Sequence, residues 1–151
     1  MDQLRIFVGT VSGNAEMCAE DMADAVKATG REAVLESMGD LDADAFGQGG
    51  DFLIVCSTHG VGDVPDEALD FFEDLQERRP DLGGVRYGVF ALGDTVYDTF
   101  CFAGKQFDEL LSSLGGKRIG EVGQHDASSG DLAEDVGVEW IGDWIDTIDP
   151  R

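Results

Sequence analysis

Three short stretches of this chain combine hydroxyls, amides, glycines and rings in ways that suit a phosphorylated, planar ligand. The first is Thr10-Val11-Ser12-Gly13-Asn14-Ala15-Glu16, which places two hydroxyls, a carboxamide and a glycine just before a helical pattern begins. Unpaired backbone N–H groups at such a helix start attract an anion. No Lys or Arg occurs between Arg5 and Lys27, and the G-x-x-x-x-G-K-[ST] pattern of nucleotide triphosphatases is absent. A phosphate held here is held by neutral donors, which suits a resident monophosphate better than a transferable one. Ser12 or Asn14 equally suits simple helix capping, and this stretch alone does not choose between the two.

The second stretch is Ser57-Thr58-His59-Gly60-Val61-Gly62-Asp63-Val64-Pro65-Asp66. Its glycines allow backbone to approach a flat ligand closely. It is not a dinucleotide fingerprint, because the third glycine is missing and the wrong strand precedes it. With 2 histidines in the chain, His59 belongs to no metal cluster. It reads either as a titrating surface residue or as a ligand neighbour. The third stretch is Leu92-Gly93-Asp94-Thr95-Val96-Tyr97-Asp98-Thr99-Phe100-Cys101. Tyr97 sits between Asp94 and Asp98, where no helix or strand face obliges it to be buried. A planar ligand stacked on the ring explains that placement.

Each stretch must be positioned by what precedes and follows it. Apolar runs read as strands at Leu4–Val8, Ala33–Met38, Asp51–Ser57, Tyr87–Leu92 and Lys117–Val122. Helical spacing lies between them, at Cys18, Met22, Val26; at Ala68, Phe72, Leu75; and at Ala103, Phe107, Leu110, Leu114. A last helix carries Val136, Trp140, Trp144 and Ile148 on one side. Gly30 marks the end of the first helix and Pro80 stops the second. Five strands alternating with helices predict an α/β, three-layer, doubly wound fold with a parallel sheet of order 2-1-3-4-5. In such sheets ligands lie beyond the carboxyl ends of the strands, which is where all three stretches fall.

The bulk composition narrows the function. The chain has 151 residues, 10 Lys plus Arg against 32 Asp plus Glu, and a formal net charge of −22. The length predicts a single domain over 1–151. The hydrophobic share of 42% is that of a globular chain, so the acidity does not signal disorder. Such a charge excludes nucleic acid as a partner and disfavours anionic membranes. It favours partners with basic patches. The 3 cysteines are widely spaced, with no C-x-x-C pair, which suits a cytoplasmic chain. The apolar run Phe52–Cys56 is too short to span a bilayer.

With these residues in view, the chain resembles the flavodoxin family over nearly its whole length. Ser57-Thr58-His59-Gly60 through Asp63 and Leu92-Gly93-Asp94 through Cys101 resemble the short-chain, MioC-type flavodoxins and the FMN domains of diflavin reductases. The resemblance implies FMN as cofactor. It assigns Thr10, Val11, Ser12, Gly13, Asn14 and Ala15 to the phosphate. His59 and Tyr97 would flank the isoalloxazine ring, and Gly60 and Gly93 would bring backbone near it. Ser57, Thr58, Leu92, Asp94, Asp98, Phe100 and Cys101 complete the two ring loops. His59 replaces the Tyr or Trp common on that face. Asp126 matches an acidic residue near the flavin of the diflavin domains, while the segment Gly123–Ser129 otherwise departs from the family pattern.

Other users of this sheet are excluded by their chemistry. A low-molecular-weight tyrosine phosphatase needs Arg six residues after its Cys, but Asp24, Gly62 and Phe107 stand there. A receiver domain needs Asp at the end of strand 3, where this chain has Val55-Cys56-Ser57. No G-x-S-x-G elbow supports a hydrolase. The resemblance implies a monomeric FMN electron carrier with no catalytic acid–base set, the cofactor itself doing the chemistry. It would take electrons from an NAD(P)H-dependent flavoprotein reductase and pass them to an acceptor redox enzyme. The alternative is a flavin-free interaction module of the same fold, in which the loops serve only as turns.

Overall fold

The first strand, β1 (Leu4–Gly9), sets the layering of the computed structural model. Leu4, Ile6 and Val8 enter one hydrophobic core and Phe7 the other, as the two-residue period of a strand requires. The structure describes residues 4–9, 14–46, 50–57, 66–93, 102–126 and 132–148. Parallel pairing puts β2 (Ala33–Ser37) and β3 (Gly50–Ser57) on either side of β1, with β4 (Val85–Gly93) beyond β3. The order is 2-1-3-4-5, as the alternation of strands and helices predicts.

Helices α1 (Asn14–Ala28) and α4 (Ala133–Ile148) cover one face of the sheet, packing Cys18, Met22, Val26, Ile141 and Trp144 onto it. Helices α2 (Asp66–Arg78) and α3 (Phe102–Ser113) cover the other, over a core rich in phenylalanine. There Phe7 meets Phe46 and Phe71 edge-on, with ring centroids 5.3 and 5.9 Å apart. Both faces being covered explains why β3 is apolar almost throughout rather than alternating. Among the described residues, no helix is long and apolar enough to cross a membrane.

All five expected strands shift at a boundary: β1, β3 and β4 gain one or two residues at an end, and the other two are shortened. The second strand stops at Ser37, and Met38 opens a 3-10 turn (Met38–Asp40) in which Gly39 N–H donates to Ser37 Oγ. The fifth strand is not continuous over Lys117–Val122. Only β5 (Lys117–Arg118) pairs there, with Arg86 and Tyr87 of β4. The chain then leaves the sheet and returns as β6 (Gly123–Asp126), pairing with Phe90 to Gly93. Four residues, 119–122, thus lie alongside two of β4, Gly88 and Val89. The cause is tertiary. Ile119 N–H donates to Tyr87 O at 2.8 Å, and the Ile119 carbonyl accepts from the Trp144 indole at 2.9 Å. Gly120 then turns the chain at φ +71°, a conformation that side chains disfavour.

The amino edge of the sheet is tied by side chains. Asp51, at the start of β3, is buried and accepts from Arg31. It also accepts from Nε and Nη2 of Arg86, each at 2.8 Å. Arg86 reaches on to the carbonyl of Ile148 at the end of α4. Asp108 similarly joins the Tyr87 hydroxyl to Arg118.

Candidate cofactor site

The opposite edge of the sheet brings the strand ends into one row. Gly9 pairs with Cys56, Cys56 with Ala91, and Ala91 with Gln124. One residue further, Ser57 pairs with Leu92 and Leu92 with His125; Gly93 and Asp126 close the row. Each strand there leads toward a helix that starts at the same edge. Residues 10–13 join β1 to α1, 58–65 join β3 to α2, and 94–101 join β4 to α3. The three connections therefore leave neighbouring strands at one level, in the order β1, β3, β4.

This row collects the candidate residues that fall within the described structure. Asn14 and Ala15 are the first two residues of α1, whose opening N–H groups have no partner within the helix. Ser57 ends β3, Leu92 and Gly93 end β4, and Asp126 ends β6, half-buried opposite Gly93. Thr10, Val11, Ser12, Gly13, Thr58, His59, Gly60, Asp94, Tyr97, Asp98, Phe100 and Cys101 lie outside the described residues.

The electrostatics of the edge follow from where the cations are. Arg5, Arg31, Arg86, Lys117 and Arg118 stand at strand starts, and Lys27, Arg78 and Arg79 at the far ends of α1 and α2. Among the described residues, only Lys105, in the first turn of α3, lies on the carboxyl side. The backbone N–H groups that open α1 are neutral donors, with the positive end of a 15-residue helix behind them and Glu16 in its first turn. That set fits a phosphate monoester that stays bound. Two adjacent connections over β3 and β4, each with a glycine at or near its start, fit a flat ring beside it. The residues present therefore fit FMN.

The structure also shows what the sequence did not disclose. β6 extends the row by His125, buried against the sheet, and Asp126. A glycine–glutamine–histidine–aspartate run has too little apolar content to announce a strand. The buried thiol of Cys18, beneath α4, is pushed up to about 12 by burial and then by the carboxylates of Glu134 and Asp21. It is a packed, protonated group.

Comparison with known proteins agrees with this geometry. The flavodoxin family model matches residues 6–140. MioC of Escherichia coli strain K12 is 34% identical over 148 residues, 98% of this chain and 99% of that protein. The NADPH sulfite reductase flavoprotein alpha-component of Bacillus subtilis is 42% identical over 118 residues, covering 78% of this chain and 20% of that longer protein. Among solved structures, a single-site mutant of flavodoxin from Pseudomonas aeruginosa superposes with a TM-score of 0.83 at 31% identity, covering 94% of this chain and 95% of that one. The chain belongs to the flavodoxin family of FMN-binding electron-transfer proteins.

Proposed function

We propose that this protein takes electrons from an NAD(P)H-dependent flavoprotein reductase and delivers them to an acceptor redox enzyme. The observation that carries the reading is the row of strand ends at Gly9, Ser57 and Gly93, with the N-terminus of α1 following β1. In this reading Thr10, Ser12, Asn14 and the amide of Ala15 hold the phosphate. His59 and Tyr97 flank the ring, with the backbone of Gly60 and Gly93 against it and Asp126 at the far end of the row. Bound FMN supplies one- and two-electron chemistry, which no protein side chain here provides. The chain binds and orients the flavin, shields one edge and sets its potential through the groups it places nearby. The likeness to the NADPH sulfite reductase flavoprotein supports a flavoprotein donor.

The partner surface follows from charge. Asp66 and Glu67 open α2 next to one ring loop, and Asp63, Asp94 and Asp98 lie within the two loops. Weak redox encounters use small interfaces, and complementary charge mainly raises the rate of association. A donor or acceptor with a basic patch around its own cofactor fits this rim.

The test is direct. Purified protein should carry FMN absorbance, and a flavoprotein reductase with NADPH should bleach that band, more slowly as salt rises. Tyr97→Ala should weaken FMN binding and shift its potentials, because an electron-rich ring face disfavours the reduced, anionic flavin. A colourless chain that takes up no added FMN overturns the reading, and unchanged affinity and potentials remove Tyr97 from the site.

A further inference from the structure

Two contacts between very small residues lie in the first turns of α2 and α3, the helices that follow residues 58–65 and 94–101. Gly9 ends β1, and a Cβ placed on it would stand 2.9 Å from Ala68 Cβ and 2.8 Å from Met38 Sδ. Ala68 is buried and is the third residue of α2, the helix that follows loop 58–65. On the other side, Gly104 is the third residue of α3, the helix that follows loop 94–101. A Cβ on Gly104 would stand 2.5 Å from Ala91 Cβ, two residues before the end of β4. Each helix therefore rests its first turn on a strand end through a glycine, supplied by the strand in one case and by the helix in the other.

We propose that Gly9 and Gly104 are positioning residues that set the width of the flavin slot. Lacking side chains, they let α2 close on β1 and α3 close on β4, and so fix where the two ring-flanking loops are anchored. This rests on the reading above, in which those loops hold the ring. β1 is held by β3 at Gly9 itself and by β2 as far as Val8, which resists its displacement. Met38 is a flexible thioether that can turn aside. The Ala68 methyl, in contrast, is fixed to the helix backbone. A methyl added to Gly9 therefore drives α2 outward by roughly 0.6 Å before the two carbons reach ordinary contact near 3.5 Å. Binding constellations tolerate only about 0.5 Å of such error.

The experiment titrates FMN and riboflavin into deflavinated protein by flavin fluorescence, with visible circular dichroism reporting the ring environment. Gly9→Ala should raise both dissociation constants about tenfold and alter the flavin dichroism, since the ring contacts are common to the two ligands. Adding Ala68→Gly should restore both. Gly104→Ala should behave alike and be rescued by Ala91→Gly. Far-UV dichroism verifies the fold of each variant. If Gly9→Ala does not fold, the Gly9→Ala/Ala68→Gly pair must fold and bind flavin as the wild type does, and its failure overturns the proposal. Wild-type affinity in Gly9→Ala, a loss confined to FMN, or rescue by Met38→Ala but not by Ala68→Gly also overturns it. A wild-type chain that takes up no flavin overturns the underlying reading instead, and the inference falls with it.

Discussion

The two edges of the sheet are ordered by different means. At the amino edge, Asp51 is gripped by Arg31 and Arg86, Arg86 holds the end of α4, and Asp108 joins Arg118 to Tyr87. Charged groups there come with opposite charges. At the carboxyl edge the described residues supply one cation, Lys105, beside aligned strand ends and the close glycine contacts of Gly9 and Gly104. In the proposed function it is the carboxyl edge that accepts the ligand and meets partners, and the amino edge that carries the Arg–Asp ties.

This contrast can be broken most forcefully at Asp51. Asp51→Ala would leave Arg31, 3% exposed, without its buried counter-charge, and removal of one member of such a pair costs about 3–5 kcal/mol. Urea unfolding should show that loss, while the folded variant binds FMN as before. A matching loss of FMN affinity would mean the edges are not independent.

At the other edge, Ser12→Ala and Asn14→Ala should each weaken FMN binding by about 1.5–3 kcal/mol, the worth of a hydrogen bond to a charged group. Riboflavin binding should hardly change, and stability should fall by no more than about 1 kcal/mol, as for a lost cap. Equal losses for both ligands would place the phosphate elsewhere. A smaller effect is expected from Asp66→Asn with Glu67→Gln. FMN stays bound, but reduction by the flavoprotein donor slows by roughly tenfold at low salt, and its salt dependence flattens. A full salt slope in the double variant would put docking on another face.

The smallest effect concerns Cys18. Because its thiol keeps its proton up to about 12, native protein should be alkylated at this position far more slowly than unfolded protein at pH 8. The unfolded thiol ionises near 9.0. The folded advantage is therefore intact below that pH and is lost as pH rises toward 12. Tyr87, raised by burial and then by its hydrogen bond to Asp108, acts in the same direction. Stability that does not decline in alkali would contradict both.

Most of the frame was legible in the sequence because it depends on local pattern. The run Phe52–Cys56 could only be a covered strand, and Gly30 closes α1 where the helical spacing lapses. The sequence order of strands and helices led to 2-1-3-4-5 and to the carboxyl edge as the place for Asn14, Ser57 and Gly93, whereas Asp126 came only from the family resemblance. What stayed hidden depends on residues far apart in the chain. The break after Arg118 needs the Trp144 indole to claim the Ile119 carbonyl, which no window around residue 119 contains. The Asp51 cluster draws on three separate segments. Gly9 lies one residue past the expected strand Leu4–Val8, and nothing in its own neighbourhood of the chain signals that Met38 and Ala68 close on it.

The excursion between β5 and β6 has a consequence for how this chain can be lengthened. Each of those short strands keeps its own register on β4, so neither depends on the number of residues that separates them. Residues added between Gly120 and Glu121 extend a segment that already lies outside the sheet, at its outer border and away from the connection between β1 and α1. Doubling a flexible loop costs only about 0.6 kcal/mol. The position is thus a ready graft point, where a tether or a recognition peptide can be spliced in beside the middle of β4 without being threaded through the sheet.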